Sequence, residues 1–250
     1  EVIKKFAEND INIIMDVVYN HVNGAVMSNF DVLMPEYYYR YTSDGILSNG
    51  SGCGNETASE MPMFRKFMID SAAFWAKEYK LGGFRYDLMA LHDIETMNQV
   101  VEKLCTINPS ICVYGEPWAG GDTPLAGASQ AKQANANKYV GYGQFNDQMR
   151  DALIAGGMKG ATTLAWITNE EIVNKATDTP KIRKGIQGYT YSTDVLVEDP
   201  DKTVNYVTCH DNYTLVDRFA AAGITDEITA KKMAILSNSV VFTSQGITFM

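Results

Sequence analysis

No basic run, no CxxC pair, no apolar run of membrane-spanning length and no glycine-rich phosphate turn occur in this 250-residue chain. Each absence argues against a class of function. With 30 acidic against 21 basic side chains, a net charge of −9 and no basic run, the chain does not suit a nucleic-acid partner and does suit a neutral ligand. The apolar runs stop short of the ~20 residues that a membrane helix needs, so no membrane segment is expected. The four cysteines, Cys53, Cys105, Cys112 and Cys209, form no metal-binding pair with one another, and no histidine stands at zinc-finger spacing. They are expected to be buried thiols. No signal-peptide pattern is visible, and the compartment stays open.

What is there is apolar and ordered. The chain is 46% hydrophobic, enough for one large core, and only 20% charged, which argues against global disorder. Strand and helix patterns alternate. Ile11 to Val18 is a nearly all-apolar strand, as in a parallel sheet covered on both faces. Residues 22–60 follow as a long loop insertion without periodicity, rich in tyrosine at Tyr37–Tyr39 and in Gly, Ser and Asn at 48–55. Its aromatics point to an ordered loop near a ligand. Pro62 opens a helix whose face Phe64, Phe67, Met68, Ala72, Trp75 and Tyr79 is expected to be core. Gly83 to Met89 is the next strand. Ile94, Met97, Val100, Val101 and Leu104 mark a helix closed near Asn108-Pro109, and Ile111 to Glu116 is another strand. Beyond it lie a helix over 145–154, a helix near Glu170 to Ala176 and a strand near Ile186 to Tyr191. A strand over Thr203–Cys209, a helix from Asp226 to about Val241 and a strand after Gly246 complete the pattern. This order is the α/β class with a parallel sheet. Polar residues recur at the carboxyl ends of strands, where a β/α barrel places its chemistry. The doubly wound alternative would normally carry the phosphate turn that is missing here.

Four strand ends supply that chemistry: Asp16, Asn20 and His21; Arg85 and Asp87; Glu116; and His210 with Asp211. Arg85 and Asp87 are two apart, so on a strand they project to one side. Alone, they favour function over a structural ion pair only modestly. Together, the four ends provide what retaining glycoside hydrolysis needs: a carboxylate to attack the anomeric carbon, an acid to protonate the leaving oxygen, and further negative charge for an oxocarbenium-like transition state. Arg85 would keep Asp87 ionised, and apolar neighbours with Trp118 would favour a protonated Glu116.

Asp16-Val17-Val18-Tyr19-Asn20-His21, Gly83-Phe84-Arg85-Tyr86-Asp87, Gly115-Glu116 and His210-Asp211-Asn212 resemble, in order and spacing, the four sequence blocks of the α-amylase superfamily. The resemblance implies Asp87 as nucleophile, Glu116 as acid/base and Asp211 as transition-state stabiliser. It implies sugar-site and support roles for Asp16, His21, Arg85 and His210. Tyr37-Tyr38-Tyr39-Arg40, Asn49 to Thr57 and Tyr114-Gly115-Glu116-Pro117-Trp118 look most like type I pullulanases, which debranch α-1,6 links. Where α-amylases carry a Lys-His pair, this chain has Ala90 and Leu91. Trp118 is either a sugar platform or loop packing, and the Tyr37–Tyr39 run reads the same two ways. His92 receives no role. No organic cofactor is implied. The residue matching Asn20 binds calcium in many amylases, but no full set of six to eight oxygen ligands stands in the sequence, so the metal stays unassigned.

The resemblance further implies a partial (β/α)8 barrel from about the third strand to the eighth, and so a single incomplete catalytic barrel domain over residues 1–250. The chain opens inside a helix pattern and stops inside a strand pattern, as an internal piece of a longer protein would. Such a piece alone is expected to be unstable or inactive. The expected partner is an α-glucan. The rival readings are a neopullulanase, isoamylase or branching enzyme on the same scaffold, and a non-catalytic glucan-binding homologue.

Overall fold

The computed structural model describes residues 1–155, 163, 165–168, 175–189, 197 and 199–250. The chain forms two compact units, Glu1–Gln144 and Phe145–Met250.

The first unit begins with helix α1 (Val2–Ala7), strand β1 (Ile14–Val17) and a short helix α2 (Asn29–Leu33). Helix α3 (Pro62–Tyr79), strand β2 (Gly83–Tyr86), helix α4 (Ile94–Ile107), strand β3 (Cys112–Gly115) and the first two residues of strand β4 (Gly143–Phe145) follow. β1, β2 and β3 pair in parallel, with Asp16 opposite Arg85 and Arg85 opposite Tyr114. β4 joins β3 in parallel through Gly143 and Gln144. Parallel pairing needs a crossover between strands, and α3 and α4 supply two of them. All these strands therefore end at one edge. Gly115 is required in this tight pairing, because a Cβ there would lie 2.7 Å from the Tyr86 carbonyl oxygen.

Sequence and structure agree best at α4. Asp93 caps it by accepting from the Thr96 N–H, and Ile94, Met97, Val100, Val101 and Leu104 are all buried. At α3 the buried stripe is Phe64, Met68, Ala72 and Ala76. Phe67 and Tyr79, expected in the core, are 40% and 45% exposed. The four buried residues stand four apart along one row of the helix, and Phe67 and Tyr79 lie off that row. β1 is shorter and more exposed than its apolar sequence implies, with Ile11, Ile14 and Val18 all exposed. It stands at the end of the strand order and pairs only with β2 among the described strands.

The long insertion is ordered by antiparallel bridges, Tyr39 with Thr57 and Tyr41 with Leu47. Tyr38 and Tyr39 are buried in it. Tyr38 packs against Phe30 and Phe64, and the Tyr39 hydroxyl lies 2.7 Å from Ser28 Oγ. This pair therefore follows the packing reading. The cysteines depart from the sequence reading too: Cys53 is exposed and the other three are partly so, all as free thiols.

The second unit contains helix α5 (Asp147–Ile154), helix α6 (Lys175–Ile186), strand β5 (Thr203–Asn205), helix α7 (Leu215–Ala221), helix α8 (Glu227–Phe242) and strand β6 (Ile247–Thr248). β5 and β6 are parallel. Its core gathers Met149, Leu153, Ile182, Val207, Phe219 and Val241. Where a strand was expected from Ile186, α6 ends and a turn runs through Tyr189; Thr190 and Tyr191 lie outside the described residues, as do residues 170–174 of the expected helix. No helix among the described residues is long and apolar enough to cross a membrane.

Candidate active site

The strand register builds the site. Asp16, Arg85 and Tyr114 occupy one row across β1, β2 and β3. One step on, the Asp87 N–H donates to the Val17 carbonyl (3.1 Å) and the Glu116 N–H to the Tyr86 carbonyl (3.0 Å), so the same register continues past the strand ends. Residues two apart on a strand share a face. Asp16, Arg85, Asp87 and Glu116 thus project to one side, at the carboxyl edge.

Arg85 draws the carboxylates together. Its Nη1 donates to Asp16 Oδ1 at 2.8 Å and Asp87 Oδ1 at 3.0 Å, and its Nη2 to Glu116 Oε1 at 2.5 Å. Arg85 is 5% exposed. Burial works against its charge, but Glu116, then Asp16 and Asp87, outweigh it and hold its pKa above the usual range. The guanidinium fork suits this task, because its donors are fixed in one plane.

Asp87 has a second anchor. Asn20, fully buried, donates from Nδ2 to the Asp87 carbonyl (2.8 Å) and to Asp87 Oδ2 (2.9 Å). Its Oδ1 lies 2.6 Å from His21 Nδ1. Asn20 thus orients Asp87 and His21 together. Its oxygen is engaged by His21 and its nitrogen by Asp87. No group of three or more metal-binding side chains stands among the described residues.

Glu116 is 4% exposed, and its surroundings differ from the apolar setting read from sequence. One oxygen accepts from Arg85, and the other accepts from the Leu88 N–H at 2.9 Å. Leu88 adopts a left-handed conformation (φ 40°), which turns the chain into the short 3-10 turn Met89–Leu91 and aims its amide at Glu116. No sequence motif marked this amide. A bulky residue at positive φ is unusual enough to merit a functional reading. Trp118 is partly buried in the loop after β3.

In the second unit, His210 and Asp211 follow β5 in a loop. Both are exposed, with His210 Nε2 3.3 Å from Asp211 Oδ1. The structure thus brings Asp16, Asn20, His21, Arg85, Asp87 and Glu116 into one network and sets His210 beside Asp211.

No protein-family model matches the chain. Among curated proteins it is similar to the pullulanase of Bacillus subtilis (strain 168), at 34% identity over all of this chain and 34% of that protein. Among solved structures it resembles the pullulanase from Bacillus acidopullulyticus, with 40% identity and a TM-score of 0.89 over 98% of this chain and 29% of that one. It also resembles the pullulanase from Paenibacillus barengoltzii in complex with maltohexaose and α-cyclodextrin, with 38% identity and a TM-score of 0.90 over 98% of this chain and 38% of that one. The chain spans about a third of the length of these relatives. With the four strand-end blocks, the parallel α/β architecture and the likeness along nearly its whole length, the chain belongs to the α-amylase superfamily and is of the pullulanase type.

Proposed function

We propose that this chain carries a catalytic barrel domain of a retaining glycoside hydrolase that cuts α-1,6 links in pullulan and branched α-glucans. One observation carries the reading: a single buried guanidinium, Arg85, grips Asp16, Asp87 and Glu116 on one face at the strand ends. A retaining enzyme needs two carboxyl groups only about 5–5.5 Å apart, and two carboxylates on the two ends of one guanidinium are suitably close neighbours.

Asp87 is the nucleophile. Arg85 and Asn20 orient it, and its side chain still reaches solvent at 24% exposure. It attacks the anomeric carbon as the glycosidic bond breaks, and Glu116 gives its proton to the leaving oxygen. Water then attacks the same carbon, Glu116 takes the water's proton, and the Asp87 ester bond breaks. Each half-reaction leaves the other's protonation state ready, so no oxidant, metal or organic cofactor enters the balance. The Leu88 amide and Arg85 both donate to the ionised form of Glu116, which suits the second half. Asp211 stabilises the oxocarbenium-like transition state, and Asp16, His21, Arg85, Trp118 and His210 contact or support the sugar. An α-glucan is the substrate class, in line with the maltohexaose bound by the Paenibacillus barengoltzii relative.

The test is product analysis of pullulan digested by the full-length protein, with Asp87→Asn as control. Maltotriose is expected from the wild type. The variant is expected to fold normally and to lose turnover by orders of magnitude. Panose or mixed malto-oligosaccharides would move the enzyme to an α-1,4-cutting relative. No product from a folded wild type would make it a glucan-binding protein.

A further inference from the structure

Away from the strand-end row, the first unit contains a second buried charge cluster, in the insertion between β1 and α3. Glu56 is fully buried and Arg40 is 5% exposed, with Arg40 Nη1 3.5 Å from Glu56 Oε1. Arg40 also donates from Nε to both Glu60 oxygens (3.0 and 3.1 Å) and from Nη2 to Glu60 Oε2 (2.6 Å). Glu56 Oε2 has no hydrogen-bond partner and lies against Gly50, where a Cβ would come within 1.8 Å of it. A buried ion pair with an unsatisfied oxygen is a poor device for stability, since well-packed apolar residues serve as well or better. Its bonds are directional, and they lead to the site.

Arg40 Nη1 donates to the Leu91 carbonyl at 2.8 Å. Leu91 closes the 3-10 turn that Leu88 opens, and the Leu88 amide holds Glu116. On the other side, Glu56 Oε1 accepts from the Thr123 hydroxyl at 2.7 Å, in the loop after β3 that carries Trp118. That loop is also held where the Gly121 N–H donates to the Gly50 carbonyl at 2.8 Å. Thr57, next to Glu56, donates its N–H to the Asn20 carbonyl (2.9 Å) and its hydroxyl to the Tyr19 carbonyl (2.6 Å). One ion pair and its immediate neighbour therefore reach the loops after β1, β2 and β3.

We propose that Arg40 and Glu56 are positioning residues for Glu116. Through Leu91 they fix the turn that aims the Leu88 amide, and through Thr123 they fix the loop that follows Glu116. The proposal rests on Glu116 being the acid/base, and the experiment separates the two ideas.

The full-length protein is compared with Arg40→Lys and with the double variant Arg40→Met/Glu56→Gln. Pullulan turnover is measured against pH, and amide exchange is followed at Leu88. Lysine keeps a positive charge beside Glu56 and Glu60 but loses the fork that reaches Leu91. The expected result is a fall in kcat of about tenfold or more with KM within about twofold. Because the Leu88 amide favours the ionised Glu116, loosening it shifts the alkaline limb of the kcat/KM profile to higher pH, and Leu88 exchanges faster. A merely structural role would lower thermal stability and leave the pH limb in place. A folded Arg40→Lys protein with wild-type kcat, pH limb and Leu88 exchange would overturn the proposal. If Arg40→Lys does not fold, the double variant, with neither buried charge, decides by the same readouts. If the wild type shows no turnover, the hydrolase reading fails by itself, and the Leu88 exchange still decides whether the clamp exists.

Discussion

Arg85 is the residue on which the strand-end row depends. It stands between three carboxylates, and its own charge is held by them. Replacing it with lysine keeps one positive charge but removes the planar fork, so Asp16, Asp87 and Glu116 are no longer held by one rigid group. Arg85→Lys is expected to lower kcat/KM on pullulan on the order of a hundredfold, the scale of a small misplacement of catalytic groups. Steady-state kinetics on the folded variant checks this, and an unchanged kcat/KM would remove Arg85 from the role. The pair Arg85 and Asp87 was legible in sequence because two-residue spacing on a strand sets their common side. The contact of Asp16 and Glu116 with the same guanidinium depends on strand register, which no single strand records. The Leu88 amide was illegible for a different reason: backbone donors carry no residue signature.

At the scale of elements, α4 shows how local chemistry ties a helix to the insertion. Asp93 is 4% exposed and accepts from the Thr96 N–H (2.9 Å), the Ser59 hydroxyl (2.7 Å) and Arg65 Nη2 (3.2 Å). Burial would raise its pKa, but the Thr96 and Ser59 hydrogen bonds, with Arg65, outweigh it and lower it. Asp93→Ala removes the cap and leaves Ser59 and Arg65 without their carboxylate. It is expected to cost about 2–4 kcal/mol, measured by urea unfolding. A loss below about 0.5 kcal/mol would make the cap incidental. α4 was legible because its cap and its 3.6-residue period agree. β4 was not: its three residues, two of them Gly143 and Gln144, carry no alternation, and glycine there reads as loop. α7 is only seven residues long and too short for a periodic signal. The Tyr38 and Tyr39 rings were ambiguous because packing and sugar contact both favour aromatics; their burial against Phe30, Phe64 and Ser28 resolves them as packing.

For the molecule as a whole, acid is the expected weakness. His92 is fully buried beside the ring of Tyr86, and neither ring nitrogen has a hydrogen-bond partner. Burial first, and then the Arg40 charge, lower its pKa from 6.5 to about 3. The unfolded chain therefore binds a proton that the folded chain refuses between those values. Stability is fully present above pH 6.5 and falls as pH drops toward 3, by at most about 1.4 kcal/mol per pH unit. Asp93, whose folded pKa is lowered from 3.8, adds its own loss below that value. Urea unfolding at pH 7, 5.5 and 4.5 is expected to show the decline, and His92→Phe is expected to flatten it in that window. An equally steep decline in the variant would place the acid sensitivity elsewhere. The sequence showed a histidine a few residues beyond β2 but not its burial, which depends on the insertion folding over the turn after β2. The α/β class itself was legible, because repeated strand, loop and helix patterns leave little choice of architecture.

The most direct test of the site is to trap the glycosyl-enzyme. The full-length protein is incubated with a slow α-glucosyl donor whose leaving group departs readily, digested, and its peptides weighed by mass spectrometry. A glycosyl adduct on Asp87, absent in Asp87→Asn, is expected. Turnover of pullulan with no adduct and with inverted configuration at the released anomeric carbon would contradict the retaining mechanism and the role of Asp87 in it.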